Sequence, residues 1–212
     1  AKGGQDLIQQ VFTWDADTGE FVESYQTEFN RFCSGDLPPL TGFYNPTSGK
    51  GFNGRIYMNG EEADEGRAFA HVVTGSAKGA SYELPYLGKF SWENSVAHPN
   101  AGDRTLVVGL DDSTPGQVYL YVGDKQTQGA PVEKAGLQDG RLYGIKVDGF
   151  PDEIAAIANA SFSLEDVSAA ALGSEADLQS ASEALDVTQF ARPEDGHWDT
   201  QLNRVFYFVT TG

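Results

Sequence analysis

The amino-acid sequence predicts an all-β fold built from antiparallel strands. Short runs rich in Val, Tyr and Phe recur along the chain, each bounded by Gly, Asp, Asn or Pro. The 212 residues include 25 Gly and 9 Pro, with 40% hydrophobic and 12% aromatic residues, which is typical of a globular, turn-rich chain and excludes a coiled coil, a collagen or a disordered tail. Such runs occur in sandwiches and propellers, and polar phrases such as residues 14–19 and 44–49 favour the blade loops of a β-propeller.

The predicted strands follow one another along most of the chain. The first two flank the turn Ala16-Asp17-Thr18-Gly19, which is typical of a hairpin. The predicted strands occupy residues 7–15, 21–26, 55–60, 67–74, 104–110, 117–123, 141–148 and 204–211. Their spacing predicts meanders, in which consecutive strands are neighbours in one sheet.

One segment breaks the β pattern. Residues 163–185 are rich in Ala, Glu and Leu, and Ser163 followed by Asp166 three residues later is typical of a helix N-terminus. Gly173 interrupts the segment, so we expect two short helices joined at Gly173 and Ser174. We interpret the region from about residue 151 to 188 as a helical insertion that packs on one end of the β body.

The charge of the chain excludes two classes of partner. Lys and Arg number 14 while Asp and Glu number 31, which gives a net charge of −17 at pH 7. The electrostatic field of this negative charge repels phosphate backbones and anionic lipid, so binding to nucleic acid or to a membrane surface is not expected. The sequence has no apolar run long enough to span a membrane. The acidity suits ligation of hard cations or residence in a salty extracellular medium, and composition does not separate these two.

Cys33 is the single cysteine, so no disulfide can form within the chain. A lone cysteine is usually a small buried apolar residue. Cys33 instead precedes Ser34, Gly35 and Asp36, which predicts a loop. The few Lys residues and the single Met are compatible with an exported bacterial protein, extracellular or periplasmic. In such a protein a loop thiol is open to oxidation unless a metal or a pocket holds it.

Carboxylates cluster at strand ends. Glu61 and Glu62 belong to an acidic group at the end of a predicted strand, where they either face water or neutralise cations. Glu93 and the pair Asp111 and Asp112 are also interpreted as the ends of apolar strands, which a β scaffold presents to a shared loop region. Asp111 and Asp112 are equally suited to open a turn.

The motif Arg192-Pro193-Glu194 follows the helical segment. Pro193 disfavours the α region for Arg192, so we expect an extended segment with Arg192 and Glu194 on one face. There the guanidinium would either bind an anion beside a metal-bound carboxylate or pair with Glu194.

In this order the motifs resemble those of the PhoX-type alkaline phosphatases, secreted or periplasmic bacterial β-propellers with a mixed iron–calcium site. The resemblance extends over residues 31–211 and rests on five motifs. These are the Cys-Ser-Gly segment at Cys33, the Glu-Glu strand end at Glu61 and Glu62, the Glu before small residues at Glu93, the Gly-x-Asp-Asp segment with the Tyr-rich strand after it (Asp111, Asp112, Tyr119, Tyr121), and Arg192-Pro193-Glu194 before a strand that ends in Thr-Thr.

The resemblance implies a role for each motif. The iron ligands would be the Cys33 thiolate with carboxylates from the Glu61 and Glu62 pair, Glu93 and Glu194. Calcium ions would share further carboxylates from the region of Asp111 and Asp112. Arg192 would stabilise the charge that develops on a small phosphate-ester substrate.

The resemblance also implies an incomplete propeller. A propeller of this family needs about twice the length, so residues 1–212 would form part of one domain, about half of a six-bladed ring of four-stranded blades. We therefore expect a companion C-terminal segment of the same propeller. Two function classes follow: a secreted metal-dependent phosphatase, or a non-catalytic calcium-bound propeller that acts as a structural or binding module of a larger extracellular assembly. Cys33 distinguishes them, because calcium does not favour thiolate ligands.

Overall fold

The computed structural model describes residues 10–24, 29–153 and 159–212. Within these ranges the chain forms strands and short helices, with single 3₁₀ turns at Leu40–Gly42 and Pro85–Leu87. The strands are β1 (Gln10–Asp15), β2 (Glu20–Glu23), β3 (Phe32–Asp36), β4 (Tyr44–Asn45), β5 (Lys50–Gly51), β6 (Ile56–Glu61), β7 (Ala68–Val72), β8 (Ala80–Glu83), β9 (Trp92–Ala97), β10 (Arg104–Asp111), β11 (Val118–Asp124), β12 (Arg141–Val147), β13 (Phe162–Asp166), β14 (Pro193–Trp198) and β15 (Phe206–Thr210). The helices are α1 (Pro131–Lys134), α2 (Ser168–Ala171) and α3 (Glu175–Ala184).

Two open sheets make up most of the fold, which confirms the all-β class. One has six strands in the order β2-β1-β8-β7-β6-β3, and the other has five in the order β13-β12-β11-β10-β9. The hairpins β14–β15 and β4–β5 form two small sheets. Strands β1 and β8 pair in parallel, whereas the consecutive strands within each sheet pair antiparallel.

Each large sheet contains a four-stranded antiparallel part. In the first sheet it comprises β3, β6, β7 and β8, and in the second it comprises β9 to β12. The β1–β2 hairpin extends the first part through β8, and β13 extends the second through β12. The sheets therefore exceed the four strands expected of a blade because neighbouring segments pair with their edges. The ring arrangement of blades stays a prediction.

The predicted β1–β2 hairpin is confirmed. Asp15 pairs with Glu20 across the turn, and the Asp15 carboxylate accepts hydrogen bonds from the backbone N–H groups of Asp17 at 2.9 Å and Thr18 at 3.2 Å. Gly19 adopts a φ of +69°, which only glycine reaches without strain. Residues 7–9 and 25–26 of the two predicted strands lie outside the described residues.

The two short helices predicted in residues 163–185 are confirmed as α2 and α3, and only the start of the segment is wrong. Ser163 lies in β13, where it pairs with Lys146 of β12, so the prediction that Ser163 begins a helix is wrong. Pairing with an available sheet edge overrides the weak capping signal here. The interruption at Gly173 is confirmed, since α3 begins directly after Ser174, whose hydroxyl accepts from the Asp177 N–H at 3.2 Å. Residues 154–158 of the predicted insertion lie outside the described residues.

One apolar cluster joins the two large sheets. Met58 of β6 and Trp92 and Tyr119 of the second sheet are buried in it, and α3 contributes Leu178. The opposite face of β10 packs through Val108 and other apolar residues against the β14–β15 hairpin. No helix in the described parts of the chain is long and apolar enough to cross a membrane.

Candidate metal centre

Three of the predicted ligand residues converge. Cys33 of β3, Glu62 directly after β6 and Glu93 of β9 each offer one ligand atom, and these atoms lie within 4.8 Å of one another. Glu93 is buried, and Cys33 and Glu62 are partly buried. In the described ranges no other three side chains among His, Cys, Asp and Glu come together this closely.

Cys33 and Ser34 lie in a β-bulge. The pairing of β3 with β6 shifts by one residue between Phe32 and Gly35, so Cys33 and Ser34 share one partner position. Both side chains donate to one carboxylate: Cys33 Sγ lies 3.0 Å from Glu93 Oε2, and Ser34 Oγ lies 2.8 Å from Glu93 Oε1. The loop predicted at Cys33 is therefore an irregular strand, in which the bulge aims two consecutive side chains at one group.

Strand β6 can approach β9 because Gly60 leaves room for Trp92. A Cβ at position 60 would overlap the Cβ and indole ring of Trp92, so a larger residue would push the strands apart. Trp92 stacks on Phe90 with ring centroids 4.0 Å apart. Glu62 follows Gly60 by two residues, and Glu93 follows Trp92 directly. The contact between Gly60 and Trp92 therefore brings these two carboxylates, which are distant in sequence, close together in space.

Glu61 has a structural partner instead of a place in the cluster. Its carboxylate accepts from Arg67 at 2.9 Å (Nε) and 2.8 Å (Nη2) and from the Asn30 N–H at 2.7 Å. Burial opposes ionisation of Glu61, but these hydrogen bonds outweigh it and hold its pKa below the usual value. Of the predicted pair, Glu62 therefore faces Cys33, with Arg31 as its own ion-pair partner.

The cluster is electrostatically unfavourable for a thiolate. Burial, together with the hydrogen bonds to Glu93 and Glu62, raises the pKa of the Cys33 thiol to about 12. Ionised Cys33 beside two carboxylates would bring three negative charges together, and these charges repel one another. A bound cation would offset this repulsion and favour the thiolate.

Arg192 forms a second group with Asp112 and Glu194. Its Nε and Nη2 donate to the two Asp112 oxygens at 2.8 and 3.1 Å, and Nη2 lies 3.2 Å from Glu194 Oε1. Hydrogen bonds and charge from Asp112 raise the pKa of Arg192, with smaller contributions from Glu194 and Glu62.

The predicted extended conformation of Arg192 is wrong, although its predicted contact with Glu194 is present. Arg192 has a φ of +57°, in the left-handed region. Its backbone N–H donates to the Ser113 carbonyl at 3.0 Å, so tertiary pairing fixes the turn. This pairing overrides the preference for extended backbone that Pro193 gives to the residue before it.

Asp111 faces a different part of the molecule. Its side chain is buried with 3% exposure, and Oδ1 has no hydrogen-bond partner. It lines a pocket of about 530 Å³ together with Asp64, Glu65 and Glu175. Burial, with smaller contributions from the charges of Glu175 and Asp112, raises the pKa of Asp111 to about 7. Asp111 and Asp112 are thus consecutive in sequence but belong to separate acidic groups.

Sequence reasoning missed two residues that support the cluster. Ser34 binds the second oxygen of Glu93, and Arg31 pairs with Glu62. Both flank Cys33 within two positions, but the alternation of a regular strand would have put Ser34 on the opposite face from Cys33. The bulge that reverses this expectation has no sequence signal of its own.

Comparisons with known proteins give one distant likeness. No protein-family model matches the chain, and no curated protein matches it. Among solved structures, that of Pseudomonas fluorescens PhoX in complex with vanadate, a transition state analogue, is similar over 64% of this chain, with a TM-score of 0.47 and 17% sequence identity. The match covers 25% of that chain, so the present chain spans about a quarter of its length.

Proposed function

We propose that this chain carries the metal centre of a secreted phosphatase that hydrolyses small phosphate esters. The observation that supports this proposal is the convergence of Cys33, Glu62 and Glu93 from three separate segments of the chain. A companion C-terminal segment would complete the same propeller. The site would lie in an extracellular or periplasmic enzyme.

The donor set of this cluster suits iron. One thiolate and two carboxylates combine a soft ligand with hard ones, whereas calcium prefers oxygen ligands alone. Cys33, Glu62 and Glu93 would hold the iron. Glu194, expected as a further iron ligand, instead pairs with Arg192, and calcium would use carboxylates in the region of Asp111. When bound, such ions supply Lewis acidity toward phosphoryl oxygens and neutralise their charge, which an acidic protein needs in order to bind an anion.

The residues of the chain would then position these groups. Ser34 fixes the orientation of the Glu93 carboxylate through its hydroxyl, which leaves one Glu93 oxygen toward Cys33. Asp112 and Glu194 hold Nε and Nη2 of Arg192, so that Nη1 would be presented to an oxygen of the transferred phosphoryl group. A guanidinium held in this way needs little reorganisation during the reaction.

Metal analysis with an activity assay tests this proposal. We expect purified protein to contain iron and calcium and to hydrolyse p-nitrophenyl phosphate. Cys33→Ser and Glu93→Gln should each lower iron content and hydrolysis together. Glu165→Gln, which removes a half-buried carboxylate of β13 that lies outside the cluster, is the matched control and should change neither. Unchanged iron content in Cys33→Ser would contradict the ligand assignment, and no hydrolysis by fully loaded protein would contradict the enzyme.

A second candidate function is a non-catalytic, calcium-bound module. The unpartnered Oδ1 of buried Asp111, in a pocket with Asp64, Glu65 and Glu175, favours it. Carboxylate oxygens alone suit calcium, which would tie α3 to the end of β10. Calcium binding measured by calorimetry, in protein that holds no iron and hydrolyses no phosphate ester, would support the module over the enzyme.

A further inference from the structure

A separate pocket opens on the face of the six-stranded sheet that points away from the shared core. Its cavity volume is about 650 Å³. Phe32, Leu37, Tyr57 and Val73 supply apolar walls, and Lys78 is a cation on its lining. None of the three residues of the metal cluster lines this pocket, so its chemistry is independent of the proposed phosphatase.

Three polar side chains also line this pocket and form one hydrogen-bonded chain. They are Asn59 of β6, His71 of β7 and Ser81 of β8, on three neighbouring strands. Ser81 Oγ lies 2.7 Å from His71 Nδ1, and His71 Nε2 lies 2.9 Å from Asn59 Oδ1. Strand pairing sets this order, because His71 is directly opposite Ser81 in the β7–β8 register.

The orientation of the Asn59 amide, with Oδ1 toward His71, sets the tautomer of the imidazole. Asn59 Oδ1 can only accept, so Nε2 carries the proton and Nδ1 is the bare nitrogen. Nδ1 therefore accepts the hydrogen bond of the Ser81 hydroxyl. Aromatic rings surround the imidazole, with Phe32 and Tyr57 both 5.9 Å from it between ring centroids. A serine, a neutral histidine that faces its hydroxyl and a third group that orients the histidine are the parts of an activated nucleophile.

We propose that Ser81, His71 and Asn59 form a second active site, which hydrolyses small apolar carboxylic esters through an acyl-enzyme. Ser81 Oγ attacks the ester carbonyl carbon while its proton passes to His71 Nδ1. The bond to the alkoxy oxygen then breaks, and the alcohol leaves with that proton. Water adds to the acyl-enzyme, losing a proton to Nδ1, and the proton returns to Ser81 Oγ as the carboxylic acid departs. Asn59 is a positioning residue, since it acts through His71.

The pocket lining points to the substrate class. Its apolar walls favour a short aliphatic or aromatic acyl group. Lys78 is a cation on the pocket lining, and its positive charge would favour the negative oxygen that develops on the ester carbonyl. The neutral ester enters without a charge that the acidic protein would repel.

Labelling of the wild-type protein with a fluorophosphonate probe tests the nucleophile directly. The Ser81 oxygen would bond to phosphorus as fluoride leaves, which marks the serine covalently. Cleavage after Lys78 and Lys89 by trypsin releases residues 79–89, in which Ser81 is the only serine. We expect mass spectrometry to find the label on that peptide, and absence of the label there overturns the proposal.

Hydrolysis of p-nitrophenyl butyrate tests the chemistry. Ser81→Ala and His71→Gln should lower turnover at least about 100-fold. Ser95→Ala is the matched control, because Ser95 is also a fully buried strand serine and its hydroxyl has no hydrogen-bond partner. Asn59→Ala should lower kcat with little change in KM, and Asn59→Asp, which retains an acceptor oxygen, should recover most of it. Equal turnover in wild type and Ser81→Ala overturns the proposal.

Two controls keep this result separate from the metal centre and from misfolding. Cys33→Ser should leave labelling of Ser81 unchanged even where it removes iron. Thermal melting of each variant shows whether the fold is retained, and the labelling of wild-type protein decides the question if Ser81→Ala does not fold.

Discussion

Cys33 Sγ lies 3.0 Å from Glu93 Oε2, although 60 positions separate the two residues in sequence. The contact depends on the bulge in β3 and on the close approach of β6 to β9 at Gly60. A thiol and a carboxylate held together in a partly buried site resist ionisation of the thiol. The thiol therefore stays protonated and donates to Glu93, and a bound cation would favour the thiolate instead.

The contrast between Glu61 and Glu62 gives the first prediction. Glu61→Gln should lower the free energy of unfolding by about 3 kcal/mol, because it removes the carboxylate that Arg67 contacts at 2.8 Å in a largely buried site and leaves Glu83, at 3.8 Å, as a more distant charged partner. Glu62→Gln should lower iron content and leave the stability of metal-free protein within about 0.5 kcal/mol, since its ion pair with Arg31 involves an exposed partner.

Chemical denaturation and metal analysis of both variants check this prediction. The metal-free protein gives the stability comparison, and the loaded protein gives the iron comparison. Loss of iron in Glu61→Gln with wild-type stability, together with no effect of Glu62→Gln, would reverse the assignment.

Strong local signals predicted part of the fold. The β1–β2 hairpin and strands β10 and β11 follow from turn residues and from runs of Val, Leu and Tyr. Strands β3 and β14 were missed, since their sequences FCSGD and PEDGHW contain Gly, Pro and Asp and have little intrinsic preference for strands. Pairing with neighbouring strands determines such segments, and a single sequence does not show that pairing.

The candidate site was predicted by residue type and not by geometry. Cys33, Glu62 and Glu93 were all singled out, but their meeting depends on a bulge that regular alternation does not anticipate. Asn59, His71 and Ser81 gave no signal at all. They lie on separate strands, and only the register of the sheet brings them together.

Arg192 provides the second prediction. If the chain hydrolyses phosphate esters, Arg192→Lys should keep the metals but lower turnover of an aryl phosphate about 10²–10³-fold. Lysine cannot make the two-point contact to Asp112 and also present a planar group to phosphate oxygens. Steady-state kinetics with parallel metal analysis measures the effect. Equal turnover in the lysine variant would leave Arg192 as an ion-pair partner of Asp112 and Glu194 only.

Removal of metal ions gives the third prediction. A chelator should lower the melting temperature by several degrees, because ligand binding to the native state alone stabilises it. Added calcium should restore the part of the melting temperature that depends on sites built from carboxylates. Added iron should restore the part that depends on Cys33. Glu93→Gln should show a smaller response than wild type. A melting curve that does not respond to chelator or calcium would indicate that the acidic groups only face water.

The fourth prediction concerns the pH dependence of stability at His71. Burial among apolar groups lowers the pKa of His71 from 6.5 to about 4, so the native state disfavours the imidazolium ion. Between these two values the unfolded chain binds a proton that the native protein does not. The stability that neutral His71 contributes to the free energy of unfolding is therefore complete above pH 6.5. It is lost progressively as the pH falls toward 4, by as much as about 3 kcal/mol.

Denaturation curves of wild type and His71→Gln between pH 8 and 4.5 measure this contribution. Glutamine does not titrate, so the difference between the two proteins isolates His71 from carboxylates whose pKa burial raises, among them Asp36 and Glu83. The stability of wild type should fall more steeply with decreasing pH than that of the variant. Parallel curves would mean that the imidazole is protonated as readily in the native protein as in the unfolded chain, and would show that burial beside Phe32 and Tyr57 does not lower its pKa.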